Sequence, residues 1–179
     1  MRDPEMQTDR LDLVPFSRDD VDEFLRVWGD PEVIWWGHVV DREAAAEGLR
    51  RMVERIEAMP SGMGWWWAVV RDTGVVAGDV NLQPSPPEFD EEPEIGWHFA
   101  VDSQGYGYAT EGAAAVVDRA REIGLDLVIA TIVPMNTPSV RVAERLAMTR
   151  RPGTIERGGL AHGVWEKRLD DEERMANGE

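Results

Sequence analysis

The chain has 179 residues, of which 42% are hydrophobic, and it carries a formal net charge of -16 and no cysteine. This length and composition predict one folded domain over residues 1–169 and a polar tail over 170–179, and they exclude disulfides and thiol nucleophiles. Because so acidic a chain repels phosphate backbones, we expect no nucleic-acid partner and some attraction for cationic partners.

The first half of the chain predicts a strand, two amphipathic helices and a β-hairpin. Ser17 resembles a helix N-cap with an acidic residue three positions on, and Gly29 ends that helix. Asp41 is a suitable N-cap for the second helix. The adjacent tryptophans at 35–36 and 65–67 either pack in the core or line a pocket. The predicted elements are a strand over 8–16, helices over 17–28 and 41–59, and paired strands over 65–71 and 75–83.

The second half predicts a strand–loop–helix unit, then a strand, a short helix and two closing strands. Gly124 is placed to end the first of these helices, and Thr137 followed by Pro138 is typical of a helix start. The predicted elements are a strand over 94–101, a helix from 109, a strand over 127–132, a helix from 137, and strands over 149–155 and 161–169 with a turn at 157–159.

A glycine-rich stretch follows the strand 94–101. Gly105 and Gly107 allow the backbone to turn tightly, and an apolar face with helical spacing begins at Ala109. The unpaired N–H groups at the start of a helix, together with the positive end of its dipole, form a site for phosphate. The sequence therefore predicts a phosphate-binding loop between this strand and the next helix.

This loop differs from the two commonest phosphate loops. A P-loop would have Lys and then Ser or Thr where this chain has Tyr108 and Ala109, and a dinucleotide-binding loop would have glycine at Thr110. Residues 104–109 match instead the pattern Gln/Arg-x-x-Gly-x-Gly/Ala. This pattern resembles the acyl-CoA pyrophosphate loop of the GNAT N-acetyltransferase superfamily.

A second segment strengthens this resemblance. Residues 136–148 resemble the segment Asn-x-x-Ser-x-Arg-x-x-Glu-Lys-Leu-Gly-Phe/Met of the ribosomal-protein alanine acetyltransferases, the RimJ/RimL-like branch of GNAT. The order of predicted elements from about residue 7 to 169 also fits that branch. The resemblance implies the α/β GNAT acyl-CoA N-acyltransferase fold, in which helices flank a mixed, mostly antiparallel, splayed sheet.

The resemblance also implies acetyl-CoA as co-substrate and assigns residues to it. The pantetheine arm would pair with backbone at Phe99, Ala100 and Val101, and the pyrophosphate would lie on the N–H groups that follow. Asn136 and Ser139 would contact the pantetheine or its thiol end. The implied cofactor-binding residues are Phe99, Ala100, Val101, Gln104, Gly105, Tyr106, Gly107, Tyr108, Ala109, Thr110, Asn136 and Ser139.

The implied reaction is direct attack of a primary amine, a protein N-terminus or a small cationic amine, on acetyl-CoA in a ternary complex. A Lys-like amine is only about one part in a thousand neutral near pH 7, so the reaction needs a base. Glu94 is our first candidate for a catalytic base, and otherwise it is an exposed carboxylate at a strand end. His98 shares its strand face and is the second candidate, and otherwise it is a packed histidine. Asp79 and Asn81 on the neighbouring strand are candidates for contact with the acceptor.

The sequence departs from the family pattern at three positions after Ser139. Many family members have a tyrosine, the proton donor to the thiolate, where this chain has Ala143, so Ser139 or a water must serve as the catalytic acid. Ala147 and Met148 replace the usual Gly-Phe pair. These changes leave an alternative open, a non-catalytic acyl-CoA-binding or protein-interaction module on the same fold.

The sequence also gives expectations about metal binding, cellular location and oligomeric state. Three scattered histidines without cysteine show no metal-ligand spacing, so we expect no metal. No apolar run is long enough to cross a membrane and no apolar signal region begins the sequence, so we expect a cytoplasmic protein without a membrane partner. A homodimer stays open, because tryptophan-rich surfaces can dimerise.

Overall fold

The computed structural model describes residues 2–34, 40–87, 89 and 92–169. Trp35, Trp36, His38 and the tail 170–179 lie outside the described residues. Within the described ranges the chain forms nine strands and four α-helices. The strands are β1 Met6–Gln7, β2 Leu11–Pro15, β3 Gly64–Val70, β4 Val76–Gln83, β5 Glu94–Phe99, β6 Leu127–Ile132, β7 Thr149–Arg150, β8 Ile155–Arg157 and β9 Leu160–Arg168. The helices are α1 Val21–Trp28, α2 Arg42–Glu57, α3 Tyr108–Glu122 and α4 Thr137–Arg145.

The strands form a mixed sheet with the order β1-β2-β3-β4-β5-β6-β9-β7, and β8 pairs with β9. All neighbouring strands are antiparallel except β5 and β6, which are parallel and share a single register pair, Glu94 with Ile129. Beyond that pair the two strands separate toward the end of β5. This confirms the predicted mixed, mostly antiparallel and splayed sheet.

Helices cover both faces of the sheet. Helices α3 and α4 pack on one face, and α1 and α2 pack on the other. The three tryptophans of β3 show the consequence: Trp66 lies in the α3/α4 core, whereas Trp65 and Trp67 lie in the α1/α2 core, and all three are buried. Because a strand alternates its side chains, a central strand covered on both sides is apolar at every position. These three tryptophans therefore belong to the core.

Three predicted boundaries are wrong. The predicted first strand 8–16 is a short hairpin, in which residues 8–10 turn between β1 and β2. The first helix begins at Val21 with Asp20 as its N-cap residue, and the Asp20 Oδ2 atom accepts from the backbone N–H of Ser17 at 2.8 Å. The predicted strand 149–155 is divided between β7 and β8.

Two other boundaries concern the candidate site. Strand β5 ends at Phe99, and Val101 lies in a short 3₁₀ turn over Val101–Ser103 rather than in the strand. Helix α4 has Asn136 as its N-cap residue rather than Thr137, because the Asn136 Oδ1 atom accepts from the N–H of Ser139 at 3.2 Å. By contrast, Asp41 caps α2 as predicted by accepting from Ala44 N at 2.8 Å.

Candidate active site

The predicted phosphate loop leads from β5 into α3. Gly105 and Gly107 both have φ of 85°, in the left-handed region that favours glycine. Helix α3 begins at Tyr108, and its N-cap residue is Gly107, so no side chain caps its first turn. The N–H groups of residues 108–110 therefore stand at an uncapped helix start, where an anion is favoured.

Gln104 ties this loop to the end of β5. Its Nε2 atom donates to the backbone oxygen of Phe99 at 3.0 Å. The N–H of Ala100 donates to Ala77 O of β4 at 3.0 Å, which holds the residue that follows β5 to the sheet. A ligand that paired with Phe99 O would therefore share that oxygen with Gln104.

A second support comes from the turn between β1 and β2. The carboxylate of Glu111, in the first turn of α3, accepts from Thr8 Oγ1 at 2.5 Å, from Arg10 N at 2.8 Å and from Arg10 Nε at 2.7 Å. Arg10 also donates to Tyr106 O at 3.0 Å and lies 4.8 Å from the ring centre of Tyr108. Burial raises the pKa of Glu111, but the hydrogen bonds from Thr8 and Arg10 outweigh it and leave this pKa below its ordinary value. Sequence reasoning missed this contact, because it joins residues about 100 positions apart.

An open groove of about 470 Å³ lies beside the loop. Arg145, near the end of α4, lines this groove together with the two loop glycines. It adds a positive charge to the uncapped start of α3, although the chain as a whole is strongly acidic. The groove is lined by Gly105, Tyr106, Gly107, Thr110, Glu111, Ala114 and Arg145.

Polar side chains form a row on the opposite face of the sheet, beneath α1 and α2. Register pairs join β4 to β5 at Asp79 with His98, Asn81 with Gly96, and Gln83 with Glu94, so all six positions share one face. The buried members are Asp79, Asn81 and Glu94. We call the five side chains at these positions the polar row, since Gly96 has none. A buried polar group without a hydrogen-bond partner destabilises the fold. The hydrogen-bond partners of each side chain therefore decide which of them is available for chemistry.

Glu94 is buried and accepts three hydrogen bonds. Its Oε1 atom accepts from Thr131 Oγ1 at 2.5 Å and from Arg157 Nη1 at 2.8 Å, and its Oε2 atom accepts from Gln83 Nε2 at 2.7 Å. The residue is 5% exposed, so the alternative of an exposed strand-end carboxylate is wrong. With three of its roughly four lone-pair sites occupied, Glu94 keeps one site, on Oε2, at which a proton from an amine could be accepted.

His98 is arranged differently. Its Nδ1 atom lies 3.0 Å from Asp79 Oδ1, and the other oxygen of that fully buried carboxylate accepts from Trp28 Nε1 at 3.0 Å. The Trp28 ring also contacts the imidazole, with 4.8 Å between ring centres. When Nδ1 donates to Asp79, the neutral ring carries its lone pair on Nε2, which is the arrangement of a base oriented by a carboxylate.

Ser139 faces the α3/α4 side at the splay. The backbone N–H of Ser139 donates to the capping side chain of Asn136. The Oγ atom of Ser139 accepts from Trp97 Nε1 at 3.3 Å across the gap between β5 and α4. Ala143 is fully buried, so the position of the missing tyrosine is filled by core packing. Sequence reasoning did not single out Trp97, since nothing in its strand indicates a hydrogen bond to a residue 42 positions away.

Two further searches concern only the described residues. Among them no three His, Asp or Glu side chains come together in a way that suits a metal ion. No helix within the described ranges combines the length and apolar character that a membrane crossing requires.

Comparisons with known proteins extend over most of the chain. A family model described as an acetyltransferase (GNAT) domain matches residues 10–149. Protein YkkB of Bacillus subtilis (strain 168), itself uncharacterized, is 30% identical over 166 residues, which make up 90% of this chain and 94% of that protein.

Solved structures show the same architecture. A Bordetella pertussis protein described as a GNAT-family acetyltransferase is 27% identical with a TM-score of 0.76, covering 90% of this chain and 98% of that one. RimL, a ribosomal-protein alpha-N-acetyltransferase solved in complex with coenzyme A, is 14% identical with a TM-score of 0.73, over 91% of this chain and 96% of RimL. At the identity of RimL the likeness concerns the fold alone.

Proposed function

The chain belongs to the GNAT family of acetyltransferases, and from this premise we propose that it transfers the acetyl group of acetyl-CoA to a primary amine by direct attack in a ternary complex. The observation that carries the proposal is the splay of the sheet. Strands β5 and β6 pair only at Glu94 and Ile129, which leaves the rest of β5 unpaired with β6 up to the phosphate loop. Such an opening suits an extended thioester arm.

The proposed acetyl-CoA site follows the predicted residues. The pyrophosphate would lie on the N–H groups from Gly105 to Thr110, with Arg145 supplying charge from α4. The pantetheine would pair with backbone at Phe99, Ala100 and Val101, and Gln104 would hold that backbone in place. Asn136 would act by capping α4 and so placing Ser139 at the thiol end.

For the base we propose His98 rather than Glu94. The oxygens of Glu94 already accept from three side chains, one of them cationic, whereas the imidazole of His98 is oriented by a buried carboxylate. In the proposed step the amine nitrogen bonds to the thioester carbon and gives one proton to His98, directly or through a water. A positioned base of this kind contributes typically about 10²–10⁴ in rate. Glu94 would then hold the start of β5 through Arg157 and Thr131.

The second half of the reaction needs a proton for the leaving sulfur. As the C–S bond breaks, its electron pair stays on sulfur, and the hydroxyl of Ser139 would relay a proton from water to this thiolate. Because Ser139 Oγ accepts from Trp97, its own hydrogen can point toward the sulfur. The demand on this acid is small, since a thiolate is a weak base compared with an amine.

The acceptor would reach the polar row from the α1/α2 side. A protein N-terminus and a small cationic amine both fit the proposal. A cytoplasmic location and a homodimer remain predictions from the sequence.

The first experiment measures binding by thermal unfolding with and without acetyl-CoA. Ligand at about one hundred times its Kd adds about 2.7 kcal/mol, or about 5–10 °C for a domain of this size. We expect Gly107→Glu to abolish the shift. Gly124→Glu is the matched control, because Gly124 also has positive φ, at 79°, and nothing lies within 4 Å of a Cβ added there.

The second experiment measures turnover with a panel of amines. Because the chain has no cysteine, a thiol reagent reports released CoA without background from the protein. Binding without turnover on any amine would favour the non-catalytic acyl-CoA-binding module. Absence of both binding and turnover would favour a protein-interaction module and end the transferase proposal.

A further inference from the structure

Asn81 is the one member of the polar row that the network of partners leaves out. The residue is 2% exposed, and its Oδ1 atom is buried with no hydrogen-bond partner among the described residues. Its neighbours along β4 are satisfied: Asp79 accepts from His98 and Trp28, and Gln83 donates to Glu94 and accepts from Arg55. A buried oxygen without a hydrogen-bond partner lowers the stability of the folded protein, so the presence of an amide at this position needs an explanation.

The amide of Asn81 has room because the residue opposite it is a glycine. Asn81 lies directly opposite Gly96 of β5, between the positions of Glu94 and His98. A Cβ atom built on Gly96 would lie 2.6 Å from Asn81 Nδ2 and 3.1 Å from Oδ1, and the first of these distances is so short that the amide would have to move. The amide therefore occupies the space over Gly96, next to the proposed base. A half-turn about its last torsion exchanges oxygen and nitrogen at little cost, so the oxygen can face an incoming group.

We propose that Asn81 Oδ1 accepts a hydrogen bond from the acceptor amine and so selects primary amines. The inference rests on the proposed transferase function and on His98 as the base. Two hydrogen bonds of about 2.9 Å, one to each side chain, span just under 6 Å. Asn81 and His98 are diagonal neighbours on adjacent strands, with Cα atoms about 7–8 Å apart and Cβ atoms somewhat closer, so one nitrogen between the two side chains can contact both.

The selectivity follows from counting hydrogens. A neutral primary amine has two N–H bonds and one lone pair. The lone pair forms the bond to the thioester carbon, one hydrogen passes as a proton to His98, and the other remains on nitrogen to donate to Asn81. The C–S bond breaks and its electron pair leaves on sulfur, to which the hydroxyl of Ser139 relays a proton from water. A neutral secondary amine has a single N–H, so it cannot supply both the proton and the hydrogen bond.

The same reasoning separates this role from a structural one. A leucine has nearly the shape of asparagine and no polar atom to leave unpaired. If Asn81 serves the fold, Asn81→Leu lowers Tm. If Asn81 serves the acceptor, Asn81→Leu removes an uncompensated buried oxygen and raises Tm by about 2–4 °C while it impairs catalysis.

The experiment compares a primary amine with its N-methyl counterpart as acceptors, using CoA release by the cysteine-free protein. For Asn81→Leu and Asn81→Ala we expect kcat/KM for the primary amine to fall about 10- to 100-fold. The value for the N-methyl amine should change little, so the ratio between the two acceptors collapses. Asn81→Asp keeps an acceptor oxygen and should keep the ratio, and the KM for acetyl-CoA should be unchanged in all three variants.

Gln83→Leu is the matched control, a polar-to-apolar change two residues along the same face. Since both ends of Gln83 have partners, we expect this change to lower Tm and to leave the ratio between the two acceptors intact. An equal loss for both acceptors in Asn81→Leu, or an unchanged ratio with a lower Tm, would overturn the inference while wild-type turnover upheld the transferase. Absence of wild-type turnover on every amine would overturn both.

Discussion

The identity of the base is the prediction that depends most directly on the geometry. His98→Gln removes the imidazole, and we expect kcat/KM for the acceptor amine to fall about 10²–10⁴-fold, which is the usual contribution of a positioned base. Asp79→Asn keeps the imidazole but removes the charge that orients it. The loss of a charge-assisted hydrogen bond of about 1.5–3 kcal/mol predicts a fall of about 10- to 150-fold.

Glu94→Gln is the contrasting perturbation. It removes the ion pair with Arg157 and places an N–H₂ group among three donors, because Gln83, Thr131 and Arg157 all donate to this carboxylate. We expect a loss of about 2 kcal/mol in stability, or about 4–8 °C in Tm. Activity of the folded variant, measured well below its Tm, should stay within about tenfold of wild type.

The assay for all three variants is thiol release at saturating acetyl-CoA, with the acetyl-CoA-dependent thermal shift as the measure of an intact cofactor site. We expect the thermal shift to persist in His98→Gln and Asp79→Asn. An active His98→Gln together with a Glu94→Gln that loses activity about 100-fold at unchanged Tm would refute the reasoning, and it would make Glu94 the base despite its three contacts.

Three smaller predictions concern Arg145, Ser139 and Glu111. Arg145→Ala should raise the Kd for acetyl-CoA about fivefold, measured by titration at low salt, whereas Arg141→Ala, one turn earlier in α4 and not among the residues that line the groove, should not. Ser139→Ala should lower kcat less than about tenfold in the thiol-release assay, because the thiolate is easily protonated, and a larger loss would mean that Ser139 does more than donate a proton. Because the pKa of Glu111 is lowered in the folded protein, its contribution to stability is present above the ordinary value of 4.5 and is lost as the pH falls below it. Glu111→Gln should therefore lower Tm more at about pH 7 than at about pH 4, and an equal loss at both would contradict this.

Elements whose signals are local were predicted well from the sequence. Strand β6 has the predicted ends, Leu127 and Ile132, and α2 begins after Asp41 as predicted, because a capping carboxylate and an apolar face lie within a few residues of each other. The end of β5 was placed two residues too late. The 3₁₀ turn that ends it depends on the backbone bond from Ser103 N to Ala100 O, which no periodicity reveals.

Helix starts were less predictable because several polar residues competed for the same role. Asp20, rather than Ser17, precedes α1, and its Oδ2 atom also accepts from Trp67 Nε1 at 2.8 Å on β3. That long-range contact holds the carboxylate at the helix start. At α4, Asn136 takes the capping position ahead of Thr137.

By itself the sequence determined the family and predicted a phosphate loop, because glycines at 105 and 107 before an apolar helix form a contiguous pattern whose chemistry resides in the backbone. Only the tertiary structure decided how the candidate catalytic groups are employed. It paired Glu94 with Arg157 and joined His98 to Asp79, and it left Asn81 Oδ1 without a hydrogen-bond partner among the described residues. The physical reason is that the chemistry of a buried polar side chain depends on which atoms surround it, and here those atoms come from separate strands and helices.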